Sequence, residues 1–220
     1  MRELGDRRGV ATSLDGLAWI ANDLGDFSTG RALHEESLAI MREVGDRRGT
    51  ALALSGLGYI ASVQRDHVAA RVQSEEHLAI MRELGDRREV GRMLAHLGVI
   101  AIDQRDHARA RGLLVESLVI ARELGDPRVV IDGLEASAYL AVGVGRAEHA
   151  ARLQGAAEAL RETIGVPLSP SERAVWDGTT LTAVRAALGD EAFGGLGSGA
   201  GDDAGADVRA GNLDGVDTTD

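Results

Sequence analysis

The sequence predicts an all-α fold of stacked helix pairs, and three observations carry that prediction. The first is an internal repeat with a period of 40 residues. Gly5-Asp6-Arg7-Arg8 returns as Gly45-Asp46-Arg47-Arg48, as Gly85-Asp86-Arg87-Arg88 and as Gly125-Asp126-Pro127-Arg128. Residues 33–50 and 73–90 agree at 12 of 18 positions. A fixed period in this range marks an array whose units bury their apolar faces only against neighbours. The second observation is helical spacing: Leu54, Leu57, Gly58 and Ala61 stand at i, i+3, i+4 and i+7, one face of a helix. The third is composition. The chain is 44% hydrophobic but only 3% aromatic. Its core must be mainly Ala, Leu, Val and Ile, which suits close helix packing.

Each unit reads as two helices. The spacing predicts a first helix over 47–65 and a second over 66–84. The first-helix face recurs as Leu14, Leu17, Ala18 and Ala21, then as Leu94, Leu97, Gly98 and Ala101. It returns in weaker form as Leu134, Ser137, Ala138 and Ala141. Two large residues followed by two small ones let another helix approach at the small end. In the second helix Ala70, Leu78, Met81 and Leu84 are the apolar positions, with Glu75, Glu76, Arg82 and Glu83 on the wet side. Gly85 suits the left-handed residue after a helix and Asp86 the N-cap of the next. The Arg65-Asp66 turn joins the helices within a unit. The recurring Gly-Asp-Arg-Arg is therefore punctuation, with the Arg pair in solvent. The rival reading, a basic rim for an anionic partner, is weakened by the Asp before each pair.

The chain divides by this register into an array over 1–165, with units at 7–46, 47–86, 87–126 and 127–165. Met1 aligns with Met41 and Met81, so a partial second helix precedes the first unit and leaves an apolar face open. Either the native chain is longer or something covers that face. Closing helices are expected over 166–193. Ser169-Pro170-Ser171-Glu172 reads as a helix start, with Ser as N-cap and Glu completing a capping box. Gly178 interrupts the helix expected there. Residues 194–220 hold six Asp, one Arg and few apolar residues, so this tail is expected to be disordered.

Composition removes several function classes. There is no cysteine, so no disulfide, thiolate nucleophile or cysteine-ligated metal. Every basic residue is Arg, and a P-loop needs a Lys at the phosphates. The net charge of −11 is opposite to what a nucleic-acid surface requires. No apolar run approaches the roughly 18 residues that span a bilayer, and no signal peptide is visible. The default location is the cytoplasm. His67 and His107 occupy the turn position of Phe27, which reads as packing. His34, His77, His96 and His149 have no ligand-like spacing with one another or with carboxylates. No catalytic, cofactor-binding or metal-binding set is predicted.

Leu54-x-x-Leu57-Gly58-x-x-Ala61, followed by Asp66, Ala70 and Leu78, resembles the tetratricopeptide repeat in a long-helix version. The phrase Glu-Glu-Ser-Leu-Ala-Ile-Met-Arg-Glu-Val-Gly-Asp-Arg-Arg-Gly (35–49) is similar to repeats behind the nucleotide-binding module of large bacterial signalling ATPases. Many of those are transcriptional regulators. Residues 151–161, with Ile164-Gly165-Val166-Pro167-Leu168 and 186–193, resemble the closing segment of the same regulators. The resemblance implies an α-α superhelix, a solenoid of about four units with a C-terminal closing helix. It implies a protein-interaction scaffold, or alternatively the sensor portion of a nucleotide-dependent regulator without its ATPase and DNA-binding modules.

In such a superhelix the first helices line the concave face. The family register places Asp15, Trp19, Asn22 and Asp23 there in the first unit, and Ser55, Tyr59 and Ser62 in the second. It adds Arg92, Val99 and Asp103 in the third, and Asp132, Glu135 and Tyr139 in the fourth. Trp19, Tyr59, Val99 and Tyr139 share one register. Aromatic anchors are favoured at binding surfaces, and acids outnumber the single Arg. The expected ligand is a protein or peptide with basic and apolar residues, with self-association through the open first helix as a further expectation. Neither nucleic acid nor membrane is an expected partner.

Overall fold

The computed structural model describes residues 2–167 together with Thr182 and Ala186, and every regular element among them is an α-helix. Eight helices follow one another: α1 (Arg2–Asp23), α2 (Phe27–Glu43), α3 (Arg47–Val63), α4 (His67–Glu83), α5 (Arg87–Asp103), α6 (His107–Leu124), α7 (Pro127–Gly143) and α8 (Ala147–Ile164). They pack in consecutive pairs, as in an α-solenoid. The expected closing helices over 166–193, the Ser169 start, Gly178 and the tail over 194–220 lie outside the described residues, apart from the isolated positions just named.

Side-chain capping explains why six of the eight helices, α2 to α7, begin where they do; α8 starts after Arg146 without a side-chain cap. Asp26, Asp46, Asp66, Asp86, Asp106 and Asp126 each accept a hydrogen bond from a backbone N–H in the first turn, at 2.9–3.2 Å. Such a cap satisfies one of the orphan donors of a helix N-terminus, and its loss costs ~1 kcal/mol. The residue before each of these caps is left-handed. Gly85 has φ +70° and Gly125 φ +61°, where glycine carries no steric penalty. Arg65 and Arg105 adopt φ 57° and 62° at the same kind of turn, and there a Cβ does clash.

The first Gly-Asp is different. Helix α1 runs unbroken through Gly5 and Asp6, so the expected partial helix and turn before residue 7 are not formed. Extending α1 through these residues adds one backbone hydrogen bond per residue with no new nucleation cost.

The chain divides within α5 into two units, Met1–Met93 and Leu94–Asp220. In the first, α1 packs on α2, α2 on α3 and α3 on α4, and α1 also touches α3. Leu54, Ile60 and Ala53 are fully buried there. In the second, α6 packs on α7 and α7 on α8. Ala95, Ala101 and Ile102 of α5 join Ala110, Leu114, Ala136 and Leu140 in one cluster. Leu134, Ala138, Ala141, Leu153 and Ala157 form another.

Two residues read as core lie outside it. Leu57 of α3 is buried, but its counterpart Leu17 is 54% exposed, on a side of α1 that no helix among the described residues covers. Val10, Ile20 and Leu24 share its exposure. Leu84 is exposed as well, since it sits at the C-cap of α4, where the chain turns away.

The Arg pairs are not simply solvated. Arg7 pairs with Glu43 and Arg47 with Glu83, forty residues on in both partners. Arg8 meets Asp46 at 2.6 Å and Arg48 meets Asp86 at 3.0 Å. These two Arg pairs thus reach the acids at the next Gly-Asp turn. Exposed pairs of this kind contribute little each, but they neutralise the charge a basic rim would need.

Candidate functional site

The first unit places Asp15, Trp19 and Asp23 one helical turn apart along α1, and Ser55, Tyr59 and Ser62 along α3. The Trp19 and Tyr59 rings meet at a centroid separation of 5.6 Å, tilted by 45°. Trp19 is half-buried and Tyr59 is 42% exposed. The pair is therefore both packed and accessible.

Beneath Trp19 lies a buried polar chain. His34 of α2 is fully buried, with Nδ1 2.8 Å from Asp15 Oδ1 and Nε2 3.3 Å from Asn22 Nδ2. A carboxylate only accepts, so Nδ1 carries a hydrogen and donates to Asp15. In the neutral ring Nε2 then accepts from the Asn22 amide. The imidazole edge also meets Trp19 at 5.4 Å and 78°. Gly56 of α3 makes room for this ring: a Cβ there would stand 2.1 Å from His34 Nε2. Asn22 Oδ1 is buried without a hydrogen-bond partner and lies over Gly30, where a Cβ would stand 2.1 Å away.

An Asp–His pair invites a catalytic reading, which the geometry opposes. Both ring nitrogens are engaged and the ring has no exposed surface, so no base faces solvent. Among the described residues, no group of three His, Asp or Glu side chains is placed to hold a metal. No helix of the described residues is long and apolar enough to cross a membrane.

Not every residue assigned to the groove is available there. Asn22 and Glu135 are only 3% and 5% exposed, which corrects their placement as open groove positions. Asn22 is drawn in by His34. Glu135 is drawn in by Arg161 of α8, which donates to both carboxylate oxygens at 2.9 Å. Ser62 is half-buried and its Oγ has no hydrogen-bond partner. Ser55 is half-buried, Asp23 is exposed, and Arg92 is exposed with Glu89 at 3.4 Å.

In the second unit, Val99 and Tyr139 pack against the Ala95–Leu114 cluster, Asp132 is half-buried and Asp103 exposed. Tyr139 donates its hydroxyl to Asp103 Oδ1 at 2.7 Å. Aromatic and acid here satisfy one another.

A helical array with this register has known counterparts. Residues 9–83 match the tetratricopeptide repeat family. That stretch holds α2, α3, α4 and most of α1, and with them the Trp19–Tyr59 pair and His34. No curated protein matches the sequence. Among solved structures the fold is similar to BtubC (BKLC) from P. vanneervenii, with a TM-score of 0.63 over 97% of this chain and 85% of that one. Identity is 21%, so the likeness is one of fold.

Sequence reasoning missed His34. Its carboxylate partner lies 19 positions upstream, a separation set by helix packing rather than local spacing. One signal was present: His34, Ser74, Leu114 and Gln154 occupy the same repeat position. The third unit fills the whole slot with apolar residues, placing Ala95, Leu114 and Ile102 where the first has Asp15, His34 and Asn22. The fold does not require the polar chain.

His77 presents a second buried imidazole. It takes the position at which Ser37 Oγ donates to the Ala11 carbonyl at 2.8 Å. Burial holds its pKa below the usual histidine range, opposed by Glu89 and Asp86 and reinforced by Arg92. Its Nε2 lies 3.8 Å from Glu89 Oε1, and Nδ1 is buried without a hydrogen-bond partner.

Proposed function

We propose that this chain is a protein-interaction scaffold that docks a partner protein or peptide on the first-helix face of its N-terminal unit. The observation that carries the reading is the Trp19–Tyr59 pair: two large aromatic side chains from successive first helices, in contact yet accessible. Rings of this kind supply contact area at low entropic cost and dominate binding where they occur. The surrounding helices hold the pair in place, so little ordering accompanies association. The match of residues 9–83 to tetratricopeptide repeats supports the reading.

The test is to select peptides from a random display library on the full chain and map the bound site by amide hydrogen exchange. Added protection over residues 15–23 and 55–62 is expected. Protection confined to other segments excludes this face.

A second reading is the sensor portion of a larger nucleotide-dependent regulator. It is favoured by the phrase at 35–49 and by the segment at 151–168. In-frame coding sequence upstream for a nucleotide-binding module supports it; its absence removes it. Self-association through α1 is favoured by the exposed Val10, Leu17, Ile20 and Leu24. Sedimentation that stays monomeric at every concentration rules it out.

A further inference from the structure

We infer that the Trp19–Tyr59 face receives an arginine side chain of the partner, its guanidinium lying against the rings and between the Asp15 and Asp23 carboxylates. This deepens the docking reading above and rests on it.

Trp19 has a carboxylate one turn before it and another one turn after it on the same helix face. Asp23 is exposed and has no ion pair or hydrogen bond among the described residues. Its counterpart Asp103 is engaged, because Tyr139 donates to it at 2.7 Å. Tyr59 occupies the same repeat position as Tyr139, yet it leans on Trp19. The first unit thus leaves an acid open where the second closes it.

Asp15 gives Oδ1 to His34 and keeps 15% of its side chain exposed, the part through which it would meet the ligand. Its counterpart Glu135 already holds a guanidinium through both oxygens, that of Arg161. The repeat position of Asp15 therefore receives arginine elsewhere in this chain. The ring faces complete the site. A planar guanidinium stacks on indole and phenol while its edge donates to carboxylate, a fit that a lysine ammonium does not reproduce.

One further observation fits this occupant. The Asp15–His34–Asn22 chain, which packing does not demand, braces both Asp15 and Trp19 beneath the face.

The test uses full-length protein carrying Trp176→Phe, so that Trp19 is the single indole and reports by fluorescence. The probes are acetylated tetra-arginine, tetra-lysine and tetra-glutamate amides. Tetra-arginine is expected to give a saturable change, tetra-lysine a weaker one and tetra-glutamate none. Asp23→Asn is expected to weaken tetra-arginine binding by about threefold and Asp15→Asn by about tenfold. Asp23 is exposed and unpaired, so that variant folds normally and keeps the test decisive. No saturable response, an equal response to tetra-glutamate, or binding unchanged by Asp23→Asn overturns the inference. Equal binding of tetra-lysine overturns the guanidinium assignment. A face that binds display-selected peptides but ignores tetra-arginine retains the docking reading and loses this one; a face that binds neither loses both.

Discussion

His34 Nδ1 lies 2.8 Å from Asp15 Oδ1 across the seam between α1 and α2, with the imidazole fully buried. A polar link at this depth is costly to break and cheap to replace whole. Removing one member strands the others without partners, whereas apolar residues of similar shape remove the need for partners. His34→Ala is expected to destabilise the chain by about 2–4 kcal/mol through cavity and unpaired groups. The combined Asp15→Ala, His34→Leu, Asn22→Ile replacement, which copies Ala95, Leu114 and Ile102, is expected to cost less than about 1.5 kcal/mol. Urea unfolding of both variants measures this. A triple variant weaker than His34→Ala refutes the account.

Gly56 and His34 form a coupled pair. An alanine in a helix interior ordinarily gains ~1 kcal/mol over glycine. At Gly56 the added Cβ would stand 2.1 Å from His34 Nε2, so Gly56→Ala is expected to destabilise. In a His34→Ser background, which copies Ser74, the same change is expected to be neutral or stabilising. The double-mutant cycle should give a coupling above about 1 kcal/mol. Additive effects would mean that the ring does not occupy the Gly56 notch.

Arg65 has φ 57° at a turn where Gly85 has φ +70°. A left-handed conformation costs an L-residue ~1 kcal/mol or more. Among the described residues no hydrogen bond or ion pair of the Arg65 side chain offsets it. Arg65→Gly is expected to raise stability by about 0.5–1 kcal/mol in thermal unfolding. A lower melting temperature would contradict this.

Burial holds His77 neutral, with its folded pKa below the unfolded value of about 6.5. The unfolded chain therefore binds the proton first, and stability rises with pH across that interval. Stability is expected to be full above about pH 7 and to decline as pH falls through 6.5. His149, also held low by burial and then by Arg146 and Arg152, acts in the same direction. His77→Ser, the residue found at Ser37 and Ser117, should flatten the slope between about pH 7 and pH 5.5. An unchanged slope would assign the effect elsewhere.

The fold was legible because repeat, periodicity and capping agreed. Leu54, Leu94 and Leu134 stood in helical register and are all buried; Asp86 was placed as a cap and accepts the expected N–H bond. The site was less legible because burial in an array depends on which helix comes next. Nothing local distinguishes Glu135 from Asp132, yet Arg161 of α8 pulls only the former inside. Leu17 repeats Leu57 in sequence but lacks the covering helix. The Arg7–Glu43 pairing and the His34–Asp15 link both span helices, so their separations of 36 and 19 residues carry no signal until the register is known. The aromatic row was readable, and the first unit puts Trp19 and Tyr59 in contact.

The most direct test of the docking face is the affinity of a display-selected peptide for the wild-type chain and for Trp19→Ala/Tyr59→Ala. Helicity is checked by circular dichroism in both. Loss of two accessible aromatic anchors is expected to weaken binding by about thirtyfold or more, with helicity unchanged. A double variant that stays helical and binds as tightly as wild type would contradict the account, and so would one that unfolds, because the rings would then belong to the core rather than to a partner.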